Sequence, residues 1–523
     1  MRTTHRSLAR ILGLIAIISM ISALTLTTAS AAPERARESE AEHIILVIGD
    51  GMQLEHEIAT SRYLTGKDYK LAFHRLPYQG NVASWDVTTY DNYGGTSGAL
   101  PFDPGAVHPE VGYDPAIGGH EPFPMDSGVD DYFLYIPDDG YKPFATDSAS
   151  AATAYATGYK TDDGNIAWLP GDVADGDLQT IAELLRDEKG YAIGVVSTVP
   201  YTHATPAAFT SHNVYRSNYG EIAREMLTEV QPDVVIGAGH PGCWDEGCES
   251  GYIPADLYWN MKTDTTDDYV FVERIDGQDG GRALRAAARE ARATDMKLFG
   301  LFGGPGGNFE SPIPLDQPGN PAVVQAATED PLLADAALAA LHVVAADEDG
   351  FFLLIEQGDI DWANHGNDYA RMVGTTWDLH KAVRSIISYV DRQGDDMHWG
   401  NTLLVVTSDH GTSYMRLTGD PDLGKGDLPL QVPPEGEQVC GAYKTPFCEY
   451  PDGEVTYGVG EHTNELVRLY ARGATASLFT GHEGTWYPCT SIIDNTQVYL
   501  TMAAAAGLPQ ASPYTVIPGA CAP

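Results

Sequence analysis

Four apolar runs show no alternation of polar and apolar positions, and each ends in carboxylates, hydroxyls or a histidine. They cover residues 43–50, 191–198, 351–356 and 402–410. Such runs predict strands buried on both faces, as in a parallel sheet between two helix layers. Residues 233–237, 297–301 and 465–470 read as further strands. Helical spacing predicts helices over 175–189, 219–230, 282–292 and 331–346, and a small-residue helix starting at Ser148. Strand alternating with helix gives an α/β fold, doubly wound on a mostly parallel central sheet with helices on both faces. In such a sheet the ligand site lies beyond the carboxyl ends of the strands. Here those ends bring metal-ligand residue types to one edge from distant points in the chain.

Two aperiodic stretches interrupt this pattern, about 90–140 (rich in Gly, Asp, Pro and Tyr) and 413–457 (rich in Pro and Gly). They are expected to be long loop insertions in one catalytic domain spanning 32–523. The first 31 residues read as a signal peptide. Arg2, Arg6 and Arg10 precede an apolar stretch over 11–24, and Ala29-Ser30-Ala31 fits a cleavage site. A periplasmic or secreted protein follows, with no membrane anchor. Six cysteines in an exported chain suggest disulfides. The local pairings Cys243–Cys248, Cys440–Cys448 and Cys489–Cys521 are the simplest of the 15 connectivities that six cysteines allow.

Charge narrows the partners. The chain holds 31 basic and 73 acidic residues, a net charge of −42, and losing the three arginines of the leader takes it to −45. The excess is spread along the chain, which suits a high-salt (halophilic) setting where ions screen self-repulsion. Nucleic acid and anionic membranes are poor partners for such a surface.

The candidate chemistry sits at the strand ends. Asp361 and His365 are spaced i, i+4 and share one helix face, as metal ligands would. Glu356 closes the strand before them. Asp409-His410 closes another, with Gly411 permitting the turn that both need to reach one site. His462 precedes a further strand. In Asp147-Ser148-Ala149-Ser150, a serine at a helix start is well placed to attack phosphorus. With no obvious histidine base, a metal would have to activate it. Arg216 suits bidentate phosphate binding. Taken singly, each of these residues also admits a structural role, as a surface pair, a helix cap or a plain alanine-rich helix.

Taken in order, these pieces resemble the alkaline phosphatase family. Asp50-Gly51-Met52 is similar to its first metal motif. Residues 146–154, followed by Thr157-Gly158-Tyr159-Lys160-Thr161, are similar to its nucleophile signature. Thr205-Pro206, Glu356 with Asp361 and His365, Asp409-His410 and His462-Thr463 then follow in the family's order over roughly 43–475. The resemblance implies two zinc ions and one magnesium ion. Asp361, His365 and His462 would hold the first zinc, and Asp50, Asp409 and His410 the second. Asp50, Thr205 and Glu356 would hold the magnesium. Ser148 would carry a phosphoserine intermediate, and Arg216 would clamp the phosphate oxygens.

At two further substrate-site positions the best-known bacterial pattern has Asp and Lys, whereas this chain has His203 and Trp362. The combination is similar to that of marine and salt-loving bacterial relatives, and it implies looser product binding. The function so implied is a secreted, broad-specificity phosphomonoesterase releasing inorganic phosphate, with a homodimer as its candidate assembly. A phosphodiesterase or another superfamily hydrolase on the same fold, and a non-catalytic phosphate- or metal-binding protein, are the alternatives. A sulfatase is disfavoured, because Ser148 lacks a Cys-x-Pro-x-Arg context.

Overall fold

Ten strands build the central sheet of the computed structural model. In chain order they are β1 (His43–Gly49), β2 (Tyr78–Ala83), β3 (Ala192–Pro200), β4 (Val234–Ala238), β5 (Tyr269–Glu273), β6 (Lys297–Leu301), β7 (Phe351–Gln357), β8 (Thr402–Thr407), β9 (Val467–Gly473) and β10 (Ile492–Asp494). Their spatial order is β10-β2-β9-β8-β1-β7-β3-β4-β6-β5. All neighbours pair in parallel except at β9, which runs antiparallel to both β8 and β2. The structure describes residues 40–122, 130–133, 145–263, 268–304, 307–392, 396–420, 422–437, 440, 447–508 and 511–521. The predicted leader, residues 1–31, lies outside them. Residues 39–523 form one compact unit.

Nine helices matter for the layers and the site: α1 (Leu54–Thr65), α2 (Ser148–Thr157), α3 (Ile181–Lys189), α4 (Ala204–Thr210), α5 (Gly280–Thr294), α6 (Leu333–Val344), α7 (Asp359–His365), α8 (Tyr369–Val390) and α9 (Thr496–Ala505). Every residue of β1 and β7 is buried, which explains why neither strand alternates. The pleat still divides them between two cores. Ile44, Leu46 and Ile48 meet α2, α3, α4 and α9 on one face. Ile45 and Val47 meet α5, α6 and α8 on the other.

The predicted sheet class and its central strands match the structure. The strands β2, β5 and β10 have no counterpart in the sequence reading, being short or partly exposed runs with mixed polarity. The helix expected over 175–189 begins only at Ile181. Thr180 caps it, its hydroxyl accepting from the Glu183 amide while Glu183 accepts from the Thr180 amide. The 219–230 helix is α-helical through Arg224 and widens into a π-type turn over Glu225–Val230.

The described residues of stretch 90–140 carry more regular structure than its composition suggested. A helix covers Val87–Ser97, capped by Asp86, and short turns follow at Pro109–Gly112, Pro115–Gly118 and Asp130–Phe133. Residues 123–129 and 134–144 lie outside the described set. Trp85, Tyr90, Tyr113, Phe133, Tyr414 and Tyr487 join in an aromatic core, so large ring surfaces replace periodicity as the ordering force. Among the described residues of 413–457, Arg416–Leu417 pairs with Val455–Thr456 and Cys440 bonds to Cys448. The other two disulfides are Cys243–Cys248 and Cys489–Cys521, so all three pairings are the local ones.

One ion-pair cluster makes stability depend on alkaline pH. His212 Nδ1 lies 2.8 Å from Glu225 and its Nε2 3.4 Å from Glu183. Burial opposes the charge, but the two carboxylates outweigh it and hold His212 up at about 10. A raised pKa stabilises fully below the unfolded value near 6.5 and is lost as pH climbs through 10. Unfolding free energy is therefore expected to fall by on the order of 1–2 kcal/mol between pH 7 and 11 from this cluster alone. Denaturant melts of His212→Gln across that range should show a shallower decline. A decline identical to the parent's would remove His212 as its cause.

Candidate active site

The site lies where three adjacent central strands end. In the register, Ile48 of β1 faces Glu356 of β7 on one side and Thr407 of β8 on the other. The residues that follow, Asp50 and Asp409-His410, therefore emerge side by side. Gly51 turns the chain with φ of +63°. A Cβ there would stand 2.7 Å from Asp361 Oδ1, so only glycine fits between the two acidic positions. The Gly51 and His410 amides both donate to Asp409 Oδ1 at 3.0 Å and fix that carboxylate. His462 arrives by a different route. It sits in the short antiparallel pairing of Gly411–Thr412 with His462–Thr463, just before β9 enters the sheet.

Asp361, His365, His462 and His410 converge. Asp361 Oδ2 is 3.1 Å from His365 Nε2, and its Oδ1 is 3.5 Å from His462 Nε2. The Nε2 atoms of His365 and His462 are 3.2 Å apart. His410 stacks on His462 with ring centres 3.7 Å apart, and its Nε2 lies 3.4 Å from Asp50 and 3.3 Å from Asp409. Each of these imidazoles turns Nδ1 toward a backbone carbonyl: His365 to Gly460 at 2.6 Å, His462 to Thr146 at 2.9 Å and His410 to Gly411 at 3.2 Å. That contact places the ring proton on Nδ1 and leaves the Nε2 lone pair facing the cluster.

The acidic groups carry the marks of a cation site. Asp50 Oδ1 and Oδ2, Asp409 Oδ2, Glu356 Oε1 and Thr205 Oγ1 are buried with no hydrogen-bond partner. Burial, then the charges of Asp409, Asp361 and Glu356, push the Asp50 carboxyl well above its ordinary range. Burial likewise raises Glu356 to about 7, despite the Ser197 hydroxyl that donates to it, and Asp409 to about 6. Buried carboxylates packed this tightly are costly unless positive charge joins them. His410 is held well below its usual value by burial and by His462, which keeps its lone pair available. Asp361, His410 and His462 offer one set of donor atoms within 4.8 Å of one another, and Asp50, Asp409 and His410 a second. The donor set therefore fits a cluster of dications.

Ser148 opens α2, and its Oγ lies 3.2 Å from His410 Nε2. Buried Ala149, Ala151, Ala152 and Ala154 let this helix pack closely, and Asp147 caps it by accepting from the Ser150 amide at 2.9 Å. The other oxygen of Asp147 holds Arg216 Nη1 at 2.8 Å. Burial opposes ionisation of Asp147, but Arg216 overcomes it and keeps the carboxyl well below its usual range. Arg216 Nη2 lies 3.3 Å from His203 Nε2, and burial together with Arg216 pushes His203 down to about 3. A neutral His203 thus accepts from the guanidinium. The Trp362 ring meets His203 edge-on at 5.7 Å. A cleft of about 500 Å³ lined by Ser148, Asp163, Tyr215, Arg216, His365 and His462 opens onto these groups.

Every residue predicted for the site belongs to this one region. Thr205 opens onto Glu356 from α4, just past β3, which itself pairs with β7. Supporting groups were missed: Thr412, whose hydroxyl donates to Asp361 at 2.8 Å, Ser197 on Glu356, and the carbonyls of Thr146 and Gly460. Only Ser197 left a trace in the sequence, at the end of the apolar run that becomes β3.

An acidic and imidazole cluster at the carboxyl edge of a parallel sheet, with a capped serine beside it, defines a metal-assisted hydrolase site. A family model for alkaline phosphatase matches residues 134–425, more than half of the chain. Streptomycin-6-phosphate phosphatase of Streptomyces griseus is 27% identical over 527 residues, covering 94% of this chain and 96% of its own. Alkaline phosphatase of Escherichia coli is 28% identical over 399 residues, covering 71% and 75%. The solved alkaline phosphatase of Thermus thermophilus superposes with a TM-score of 0.57 at 22% identity, covering 92% of this chain and 94% of that one. The chain belongs to the alkaline phosphatase family, and is a phosphoric monoester hydrolase of a metal-dependent kind.

Proposed function

We propose that this protein is an exported alkaline phosphatase of broad specificity, working through a phosphoserine on Ser148. Residues 32–523 act as its single catalytic domain. The observation that carries the proposal is the set of buried oxygens without a hydrogen bond on Asp50, Asp409, Glu356 and Thr205 beside the converging imidazoles. In this assignment Asp361, His365 and His462 hold one zinc, Asp50, Asp409 and His410 a second, and Asp50, Thr205 and Glu356 a magnesium. When bound, the zinc pair would supply Lewis acidity to a phosphoryl group and would lower the pKa of hydroxyl and water beside it.

The chain's own residues do the rest. Ser148 Oγ, fixed at a helix start, attacks phosphorus in line with the departing oxygen. Arg216, steered by Asp147 and His203, donates to two phosphate oxygens and offsets the charge that grows on them. Water then releases phosphate from Ser148 along the reverse trajectory. The open cleft sets few demands on the alcohol, which supports broad specificity. Chelation is expected to abolish turnover of a chromogenic monoester, with zinc plus magnesium restoring it and a diester remaining a poor substrate. Full activity after verified metal removal would overturn the assignment.

The leader-like first 31 residues and the three disulfides support export. Among the described residues no helix is long and apolar enough to cross a membrane. The charge of −42 supports adaptation to salt. The melting temperature should accordingly rise from low to molar salt, and a flat curve would count against screening as the reason for the acidity.

A further inference from the structure

In a chain with more than twice as many acidic as basic residues, a gathering of basic side chains most of which form no ion pair calls for a cause. One exists far from the catalytic cleft. Lys70 and Arg75 from the segment before β2, His380 and Arg384 from α8, and Arg472 from β9 line a cavity of about 470 Å³, with Ile387 on its wall. β9 runs against its neighbours, and Arg472 pairs with Leu404 near the start of β8. The cavity therefore opens at the amino edge of the sheet, opposite the edge that carries Asp50, Glu356 and Asp409.

Three observations mark it as a built anion site. First, among the described residues the side chains of Lys70, Arg75 and Arg384 form no ion pair. Arg472 has one distant partner, Asp391 at 3.7 Å, and stacks on Trp399. Second, the Ala72 amide donates to His380 Nδ1 at 2.8 Å. A neutral His380 must then carry its proton on Nε2, as a donor. Third, the charged groups that act most on His380 are basic. Burial, then Arg384, Lys381, His74 and Arg75, push His380 down to about 4. Like charges held together repel unless a counter-anion joins them. Guanidinium groups beside a neutral N–H donor suit a tetrahedral oxyanion, whose oxygens accept from several directions.

We propose that this cavity is a second phosphate site, binding a phosphate dianion either free or as the head group of a small organic phosphate. Its concave shape and limited volume favour such a ligand over an extended anionic surface. The site is independent of the catalytic assignment and would let the protein sense phosphate at a distance from the reaction.

The test is calorimetric titration of the metal-loaded protein with inorganic phosphate at low salt, beside the variant Arg75→Gln/Arg384→Gln. Both arginines are exposed, so the fold should tolerate the change. The parent is expected to show two binding events per chain. The variant should lose one of them, by at least tenfold in affinity, while monoester turnover measured without added phosphate stays unchanged. Phenylphosphonate, which is not hydrolysed, separates the sources: loss of its distal event as well assigns organic head groups, and loss for phosphate alone assigns the free ion. One event in the parent, equal events in both proteins, or binding of anionic lipid vesicles in place of phosphate would each overturn the proposal. If Arg75→Gln/Arg384→Gln does not fold, the single variant Arg384→Gln carries the same test.

Discussion

Replacing Ser148 with alanine is expected to lower kcat for a chromogenic monoester by about 10³-fold or more, and to abolish acid-trapped phosphoenzyme. The change removes one oxygen from a side chain that is 2% exposed and touches His410. Alanine suits the first position of a helix already rich in it, and the cap belongs to Asp147 rather than to Ser148. The fold and the metal ligands should survive, so the loss reports chemistry alone. The residual rate measures direct attack by water in a site that still binds and orients phosphate. Quench-flow with labelled substrate reads the intermediate, and a melting curve checks the fold. Turnover within tenfold of the parent would dismiss Ser148 as the nucleophile.

Asp50→Asn is expected to act with opposite signs in two states. Asp50 is fully buried, with neither carboxylate oxygen hydrogen-bonded and with Asp409, Asp361 and Glu356 close enough to disfavour its charge. In chelated protein, the amide removes that repulsion, and the melting temperature should rise. In the presence of zinc and magnesium the variant loses a ligand assigned to two ions at once. Its metal content should drop by more than one ion per chain and its turnover by more than about 100-fold. Elemental analysis and paired melting curves with and without chelator decide the matter. Unchanged metal content would show that Asp50 bridges nothing.

Much of this centre was legible because parallel strands buried on both faces announce themselves as unbroken apolar runs, and their last residues must share an edge. The pairing of β1 with β7 and β8 places Glu356 and Asp409-His410 beside Asp50. The i, i+4 spacing of Asp361 and His365 was equally direct. What escaped has physical reasons. Backbone carbonyls, such as those of Thr146 and Gly460, have no sequence signature. Thr412 is one hydroxyl among many. Strands such as β2, with Gly80 and Asn81 in its middle, lack the apolar run that marks a strand. Order in 87–122 and 130–133 comes from rings packing on Tyr414 and Tyr487, which are hundreds of residues away. The cavity around His380 draws on three unrelated segments, and only their meeting in space reveals a positive patch on an acidic chain.

The orientation of the three imidazoles has a consequence for how the protein is handled. The Nδ1–H of each ring is directed at a main-chain carbonyl, so every remaining nitrogen lone pair at the centre is a place where acid and divalent ions compete. Mild acidification should strip the ions while the broad sheet beneath stays folded. The dormant protein would then recover on neutralisation with fresh zinc and magnesium, as a loss of occupancy and not of architecture.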